Sequence, residues 1–257
     1  MNDAPSWLII PAKSPAQAKS RLSTILGSSE RCELAKTMLA DVLSAAGNAS
    51  RKARIAVVTK NRAMAEIARA HAAIVIDEEN ECGTNSAVES ALRRTLSEDS
   101  ASFMIVPTDL PHIEPGHIDL LWSMLDRSQM VLVPASRDGG TNILGCAPGT
   151  SVPVRYGPSS FTCHVQEANR SGIKPRIYPH ARLGIDIDDP DDLKFFFDMN
   201  TPTRTQNLLR SIYPGRQKAD DVQVASATRS LPTSGRVRGA IGSGIPQPER
   251  RKLPRLR

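Results

Sequence analysis

Along the first 200 residues, short apolar runs alternate with stretches whose apolar positions recur at helical spacing. WLIIP (7–11), RIAVVT (54–59), AIVID (73–77), SFMIVP (102–107) and MVLVPAS (130–136) are almost wholly apolar, which predicts strands covered on both faces. Helices are predicted over 29–47, 63–71, about 86–96 and about 115–126, the first with Ser29 as a possible cap and Gly47 as its stop. Strand and helix therefore alternate along the chain. That order predicts an α/β fold, a Rossmann-like, mostly parallel sheet with helices on both faces. Ligands of such sheets bind beyond the carboxyl ends of the strands, and chemistry is to be sought there.

The periodicity stops near Met199–Thr203, and charge changes at the same place. Residues 201–257 hold twelve Lys/Arg against three Asp/Glu, whereas residues 1–200 hold 21 against 24. The net charge of +6 thus belongs to the end of the chain, which is dense in Gly, Pro, Ser and Arg. Such a stretch cannot bury enough apolar surface to offset its ordering entropy. Two regions are expected: a folded domain over 1–200 and a basic, disordered tail over 201–257. Nucleic-acid binding by the tail is disfavoured, because Tyr213 is its one aromatic and no stacking surface follows.

Other classes fall away on composition. No window approaches 18 uninterrupted apolar residues, so no membrane span is expected, and MNDAPSWLIIPAK does not read as a signal peptide. Cys32, Cys82, Cys146 and Cys163 are scattered without a CxxC pair, which argues against a zinc site or disulfide framework and for the cytoplasm. The five histidines lack HxxxH or HxH spacing, and GxSxG, GxGxxG and GxxxxGK[ST] are absent.

Four polar stretches remain as candidate chemistry. Asp109 follows the SFMIVP strand in VPTDLP; alone it reads more readily as a turn or cap residue than as a ligand. In LGIDIDDPDDL (183–193), a strand's period of two would put Asp186 and Asp188 on one face and Ile185 and Ile187 on the other. Asp189-Pro190 then opens a helix, with Asp191 and Asp192 facing its positive end. Two carboxylates from one strand and a third from another strand end make a hard-oxygen site suited to Mg²⁺. RDGGTN (137–142) and RYGPSSF (155–161) are loops, the second before a helical stretch whose N–H groups and Ser159 and Ser160 hydroxyls offer a phosphate seat. PAKSPAQAKSRL (11–22) places Lys13, Lys19 and Arg21 after the first strand, where they are either a solvated face or a partner for a triphosphate.

In this order, PAKSPAQAKSRL, ECGTNSAVESAL (81–92), VPTDLP, RDGGTN, RYGPSSFTCH (155–164) and GIDIDDPDDL (184–193) resemble the CofC/FbiD guanylyltransferases of coenzyme F420 biosynthesis. The resemblance covers roughly residues 7–198 and implies a GT-A-like nucleotidyltransferase fold. It implies a cytoplasmic, Mg²⁺-dependent enzyme that condenses GTP with a small phosphorylated acid and releases pyrophosphate. By motif, Asp109, Asp186 and Asp188 would hold two Mg²⁺ ions, and Thr141, Gly157 and Ser160 the phosphoacid. Lys13, Lys19, Arg21, Gly83 and Asn85 would meet the nucleotide. Where the family shows Gly-Leu-Asn and then a small apolar residue, this chain has Gly83-Thr84-Asn85-Ser86, and the added hydroxyls tilt the expected acid towards 3-phospho-D-glycerate over 2-phospho-L-lactate or phosphoenolpyruvate. The resemblance also admits a homodimer and hand-over of product to the next enzyme. Relatives that act on a sugar phosphate or molybdopterin carry a Gly-rich loop after strand one, which PAKSPAQAKSRL lacks.

Overall fold

The computed structural model describes residues 6–16, 18–77, 83–96, 101–150 and 152–212. Seven strands form one sheet in the order β3-β2-β1-β4-β6-β5-β7. They are β1 (Ser6–Pro11), β2 (Arg54–Val58), β3 (Ile74–Ile76), β4 (Ser102–Ile105), β5 (Met130–Pro134), β6 (Thr141–Cys146) and β7 (Arg176–Ile177). All pairings are parallel except those of β6 with β4 and β5. The helices are α1 (Ser28–Asn48), α2 (Arg62–Ala70), α3 (Thr84–Thr95), α4 (Pro115–Leu125), α5 (Ser160–Arg170), α6 (Pro190–Asp198) and α7 (Arg204–Ile212).

The strands are continuously apolar because both faces are covered. Leu8 and Ile10 of β1 point into a core with α1, α2 and α4, built on Leu39, Met64 and Trp122. Trp7 and Ile9, one pleat away, join the opposite core with Val88 of α3 and Ala168 of α5. The chain runs from β1 outward to β3, then returns to place β4 on the other side of β1. The crevice beyond the carboxyl ends of β1 and β4 is therefore the sheet's topological switch point.

Several local expectations need correction. β6 was not foreseen: its polar start (Thr141, Asn142) and interior Gly145 mask the strand signal, although all six residues are buried. Residues 181–188 form turns and irregular backbone rather than the expected strand. Helix α1 is capped by Gly27, whose N–H donates to the Glu30 carboxylate, and not by Ser29; it runs through Gly47 to Asn48.

The fold also extends past residue 200. Thr205, Gln206 and Leu209 of α7 are buried, and Leu209 joins Leu22, Leu26, Leu34, Met38, Ile187, Leu193 and Phe196 in a third cluster. The Asp41 carboxylate of α1 accepts the N–H groups of Arg204 (3.0 Å) and Thr205 (2.8 Å), satisfying the open end of α7 with negative charge. A mixed, Arg-bearing stretch hides this helix because only one of its faces is apolar. The expected disordered tail from 213 onward lies outside the described residues.

Both anchors are measurable. Asp41→Ala is expected to lower unfolding free energy by about 1–3 kcal/mol, and Leu209→Ala by about 2–5 kcal/mol, in urea titrations. Unchanged midpoints in both variants would remove α7 from the folded domain.

Candidate active site

Three carboxylates meet at the switch point. β4 ends at Ile105, and Val106 N–H continues the ladder to Ile9 O before the chain turns through Pro107-Thr108-Asp109. Leu110, fully buried, fixes that turn. On the other side Ile187, also fully buried, sinks into the third cluster and donates its N–H to Asp109 O at 3.1 Å. Its neighbours Asp186 and Asp188 are thereby held beside Asp109. One oxygen from each of the three lies within 4.8 Å of the others, with every residue half-buried. The convergence expected of a strand is achieved by an irregular segment pinned at its middle residue.

Like charges so close need compensation. Lys19 Nζ supplies it to Asp188 (2.6 Å) and Asp109 (2.9 Å), with only 7% of its side chain exposed. Burial alone would lower the Lys19 pKa, but the two carboxylates outweigh it and hold the ammonium above the ordinary lysine value. Lys19 sits in the left-handed region (φ 56), which costs a non-glycine residue about 1–2 kcal/mol; the two ion pairs offset that strain. One ammonium against three carboxylates still leaves two negative charges. Asp186 bears the excess: burial, then Asp109 and Asp188, push its carboxyl up to about 7. Asp109 Oδ1 is buried without a hydrogen-bond partner among the described residues. A divalent cation matches this deficit in charge and in ligand chemistry, since hard oxygens suit Mg²⁺.

The other carboxylates of the run are compensated separately. Asp189 caps α6 by accepting the Asp191 and Asp192 N–H groups, and Asp192 accepts those of Asp188 and Asp189. Arg137 pairs with Asp192 at 2.7 Å. Asp191 is exposed in the first turn.

Beside the cluster opens a cleft of about 440 Å³, lined by Lys13, Ser14, Lys19, Lys60, Gly83, Thr84, Thr108, Asp109 and Asp188, with Met38 and Met64 among its apolar wall. Gly83 precedes α3 with φ 95, a left-handed conformation that glycine adopts without strain, so the helix presents its positive end to the cleft. Lys13 lines the cleft. Lys19 lines it too, but its ammonium is held by the acids. Arg21 is exposed on the 3-10 turn Ser20–Thr24 and does not line the cleft. Lys60 was missed; its signal was a lysine directly after a buried strand, at the mouth of the sheet.

Thr141, Gly157 and Ser160 come together elsewhere, behind the β5–β6 turn. Thr141 N–H donates to Ser160 Oγ (2.9 Å), and Thr141 Oγ1 bonds His164 Nδ1 (2.9 Å). Gly157, at φ 134, accepts the Ser160 N–H, and Gly139 O accepts that of Phe161. The first two N–H groups of α5 are thus already engaged, against the expectation of a bare helix end as phosphate seat. Asn85 is engaged as well: its amide clasps the Tyr156 backbone, donating to O (2.9 Å) and accepting from N–H (2.7 Å). It ties α3 to the 155–160 loop instead of extending into the cleft. Ser136 N–H and Asn142 Nδ2 donate to Gly184 O (2.7 Å) and Leu183 O (2.8 Å), joining this region to the segment that carries Asp186. The role of His164 went unread because its partners, the Thr141 hydroxyl and the Arg155 N–H, lie on other segments.

A family model described as guanylyl transferase CofC like matches residues 6–223. A phosphoenolpyruvate guanylyltransferase of Rubrobacter xylanophilus is 33% identical, over 73% of this chain and 91% of its own. A 3-phospho-D-glycerate guanylyltransferase of Phenylobacterium zucineum is 32% identical over 72% and 86%. A 2-phospho-L-lactate guanylyltransferase of Methanocaldococcus vulcanius is 30% identical over 80% and 90%. Among solved structures, one from Desulfovibrio desulfuricans assigned as a nucleotide-diphospho-sugar transferase superposes with TM-score 0.69 at 16% identity, covering 87% of this chain and 98% of that one. A cytidylyltransferase of Leptospira borgpetersenii gives 0.53 at 13%, covering 90% and 100%. These structures share the nucleotidyltransferase fold alone. Coverage of most of the chain by the family model, and relatives of this identity along most of their own length, make the chain a member of the CofC-like guanylyl transferase family.

Proposed function

We propose that this chain joins the GMP part of GTP to the phosphate of a small phosphorylated three-carbon acid, as a step in the biosynthesis of coenzyme F420 or a derivative. The observation that carries the reading is the meeting of Asp109, Asp186 and Asp188 beside a lysine-lined cleft at the switch point. The three relatives act, by name, on three different acids at nearly equal identity, so identity does not choose among them. In this reading Thr141, Gly157 and Ser160 hold the acid, and 3-phospho-D-glycerate is the acid proposed, on the hydroxyl that Thr84 adds to the cleft wall.

In the reaction a phosphate oxygen of the acid attacks the α-phosphorus of GTP in line. The new P–O bond forms as the bond to the β-phosphate oxygen breaks, and pyrophosphate leaves with that electron pair. A phosphomonoester is largely dianionic at neutral pH, so no general base is required. The barrier lies in bringing anions together. Lys13 and Lys60 lower it by facing the triphosphate across the cleft. Asp109, Asp186 and Asp188 would hold Mg²⁺, two ions in this reading, which when bound neutralises phosphate charge and aligns the reacting groups. Lys19 keeps Asp109 and Asp188 together in the meantime. Fixed positioning of both substrates can itself supply about 7–11 kcal/mol. GTP supply places the reaction in the cytoplasm, and no helix among the described residues is long and apolar enough to cross a membrane. The GMP-linked diphosphate then passes to the enzyme that consumes it.

Mg²⁺ is expected to raise the thermal midpoint of the wild-type protein, because it binds the folded state alone. Asp188→Asn should fold, lose that shift and lose turnover at least a hundredfold; wild-type turnover at modest Mg²⁺ would overturn the metal assignment. Lys60→Ala should raise the KM for GTP about tenfold and leave that for the acid within about threefold, an effect of one unpaired phosphate contact. Mass spectrometry of products from GTP with each of the three acids tests the substrate, and a dominant product from phosphoenolpyruvate or 2-phospho-L-lactate would displace 3-phospho-D-glycerate.

A further inference from the structure

His164 is fully buried in α5, and both of its ring nitrogens are engaged. Nε2 receives the backbone N–H of Arg155 at 2.9 Å. A nitrogen that accepts an N–H cannot carry a proton of its own, so the neutral ring must bear its hydrogen on Nδ1. Burial agrees with a neutral ring, pushing the His164 pKa down to about 4. Tyr156 packs edge-on against the imidazole, with centroids 5.4 Å apart, and holds its plane. The Nδ1 contact with Thr141 Oγ1 therefore has a defined direction: His164 donates and the hydroxyl accepts.

The consequence passes along the cluster. Thr141 Oγ1 accepts from His164, and Ser160 Oγ accepts from Thr141 N–H. Both hydroxyls then have a lone pair occupied and a hydrogen left to give. Among the described residues no acceptor takes either hydrogen, although Thr141 is 6% and Ser160 2% exposed. A buried donor left without a partner costs about 1–3 kcal/mol, so the pair is matched to a ligand group that only accepts.

We propose that His164 is a positioning residue that turns the Thr141 and Ser160 hydroxyls into a paired donor seat for an acceptor-only anion, the carboxylate or phosphate of the acid substrate. The inference rests on the reading above that these two residues hold the phosphoacid. Left free, a hydroxyl can donate or accept, and it meets an anion only after rotating away from other partners. Committed by His164, the Thr141 hydroxyl presents its hydrogen before the substrate arrives, and the Thr141 N–H does the same for Ser160.

Two measurements test it. In wild-type protein labelled with ¹⁵N-histidine, long-range ¹H–¹⁵N correlation at pH 7 should give His164 as the neutral Nδ1–H tautomer; an Nε2–H tautomer or a cation would overturn the proposal, whatever any variant does. In steady-state kinetics with the best of the three acids, His164→Phe keeps the ring but removes both nitrogens. It should raise the KM for the acid about tenfold and leave the KM for GTP within twofold. His164→Asn, which restores one donor and one acceptor, should recover part of the loss. Equal rises in both KM values, or no recovery with Asn, would mean that the ring serves packing only. Thr141→Val separates the two levels: a raised acid KM in Thr141→Val without one in His164→Phe defeats the positioning role alone, and no change in either defeats the reading of the acid site as well.

Discussion

Three carboxylates gathered within 4.8 Å of one another, two of them paired with one ammonium, are the constraint around which this protein is organised. Lys19 lies between Asp109 and Asp188, and burial, then the charges of those two neighbours, raises the proton affinity of Asp186. Nothing in sheet geometry requires such an arrangement, and electrostatics opposes it. It persists because hydrophobic burial over-determines the backbone: Leu110 and Ile187 are fully buried and joined by the Ile187-to-Asp109 hydrogen bond. Ile187 shares its cluster with Leu209, so the helix that Asp41 caps supports the acidic segment from behind. The strain of like charges is thus carried by the third core, the one that covers no face of the sheet.

The same economy governs the rest of the site. The polar loops around the crevice make few backbone ladders, so side chains substitute for them. Asn85 reproduces a strand-like pair of hydrogen bonds with Tyr156, and Asn142 reaches Leu183 O. Each bond joins segments that would otherwise move independently: α3 to the 155–160 loop, and β6 to the acidic segment. A site assembled this way resists loosening, because buried amides and carbonyls that lose a partner cannot recover it from water.

Much of the architecture was legible from periodicity, because doubly covered parallel strands read as unbroken apolar runs. Where strands carry polar residues or glycine, as in β6, the signal fades although burial is complete. Asp109, Asp186 and Asp188 could be named from order and chemistry, but the reason given for the last two, alternation along a strand, was wrong; Ile187 as a buried pin achieves the same facing in irregular backbone. The basic residues were harder. Lysines look alike in sequence, and only the fold separates Lys13 and Lys60 at the cleft from Lys19 among the acids and Arg21 in solvent. The domain boundary was set too early for a related reason, since α7 is held by one apolar face and by a carboxylate 163 positions away from Arg204.

These arrangements divide the labour of recognition. In the proposed reading, an acidic cluster that gathers cations and lysines that gather phosphates would attract any polyphosphate and do little to tell substrates apart. Discrimination must come from groups whose polarity is fixed before binding. Backbone N–H groups have that property, but the first two of α5 are taken by Gly157 and Gly139. Hydroxyls acquire it only when an internal donor occupies them, which is the position of Thr141 and Ser160. A ligand group that itself donates would face two hydrogens and be repelled, whereas an anion meets both at once. In the proposed reading, selectivity for a phosphorylated acid follows from the direction of one hydrogen bond on a buried imidazole.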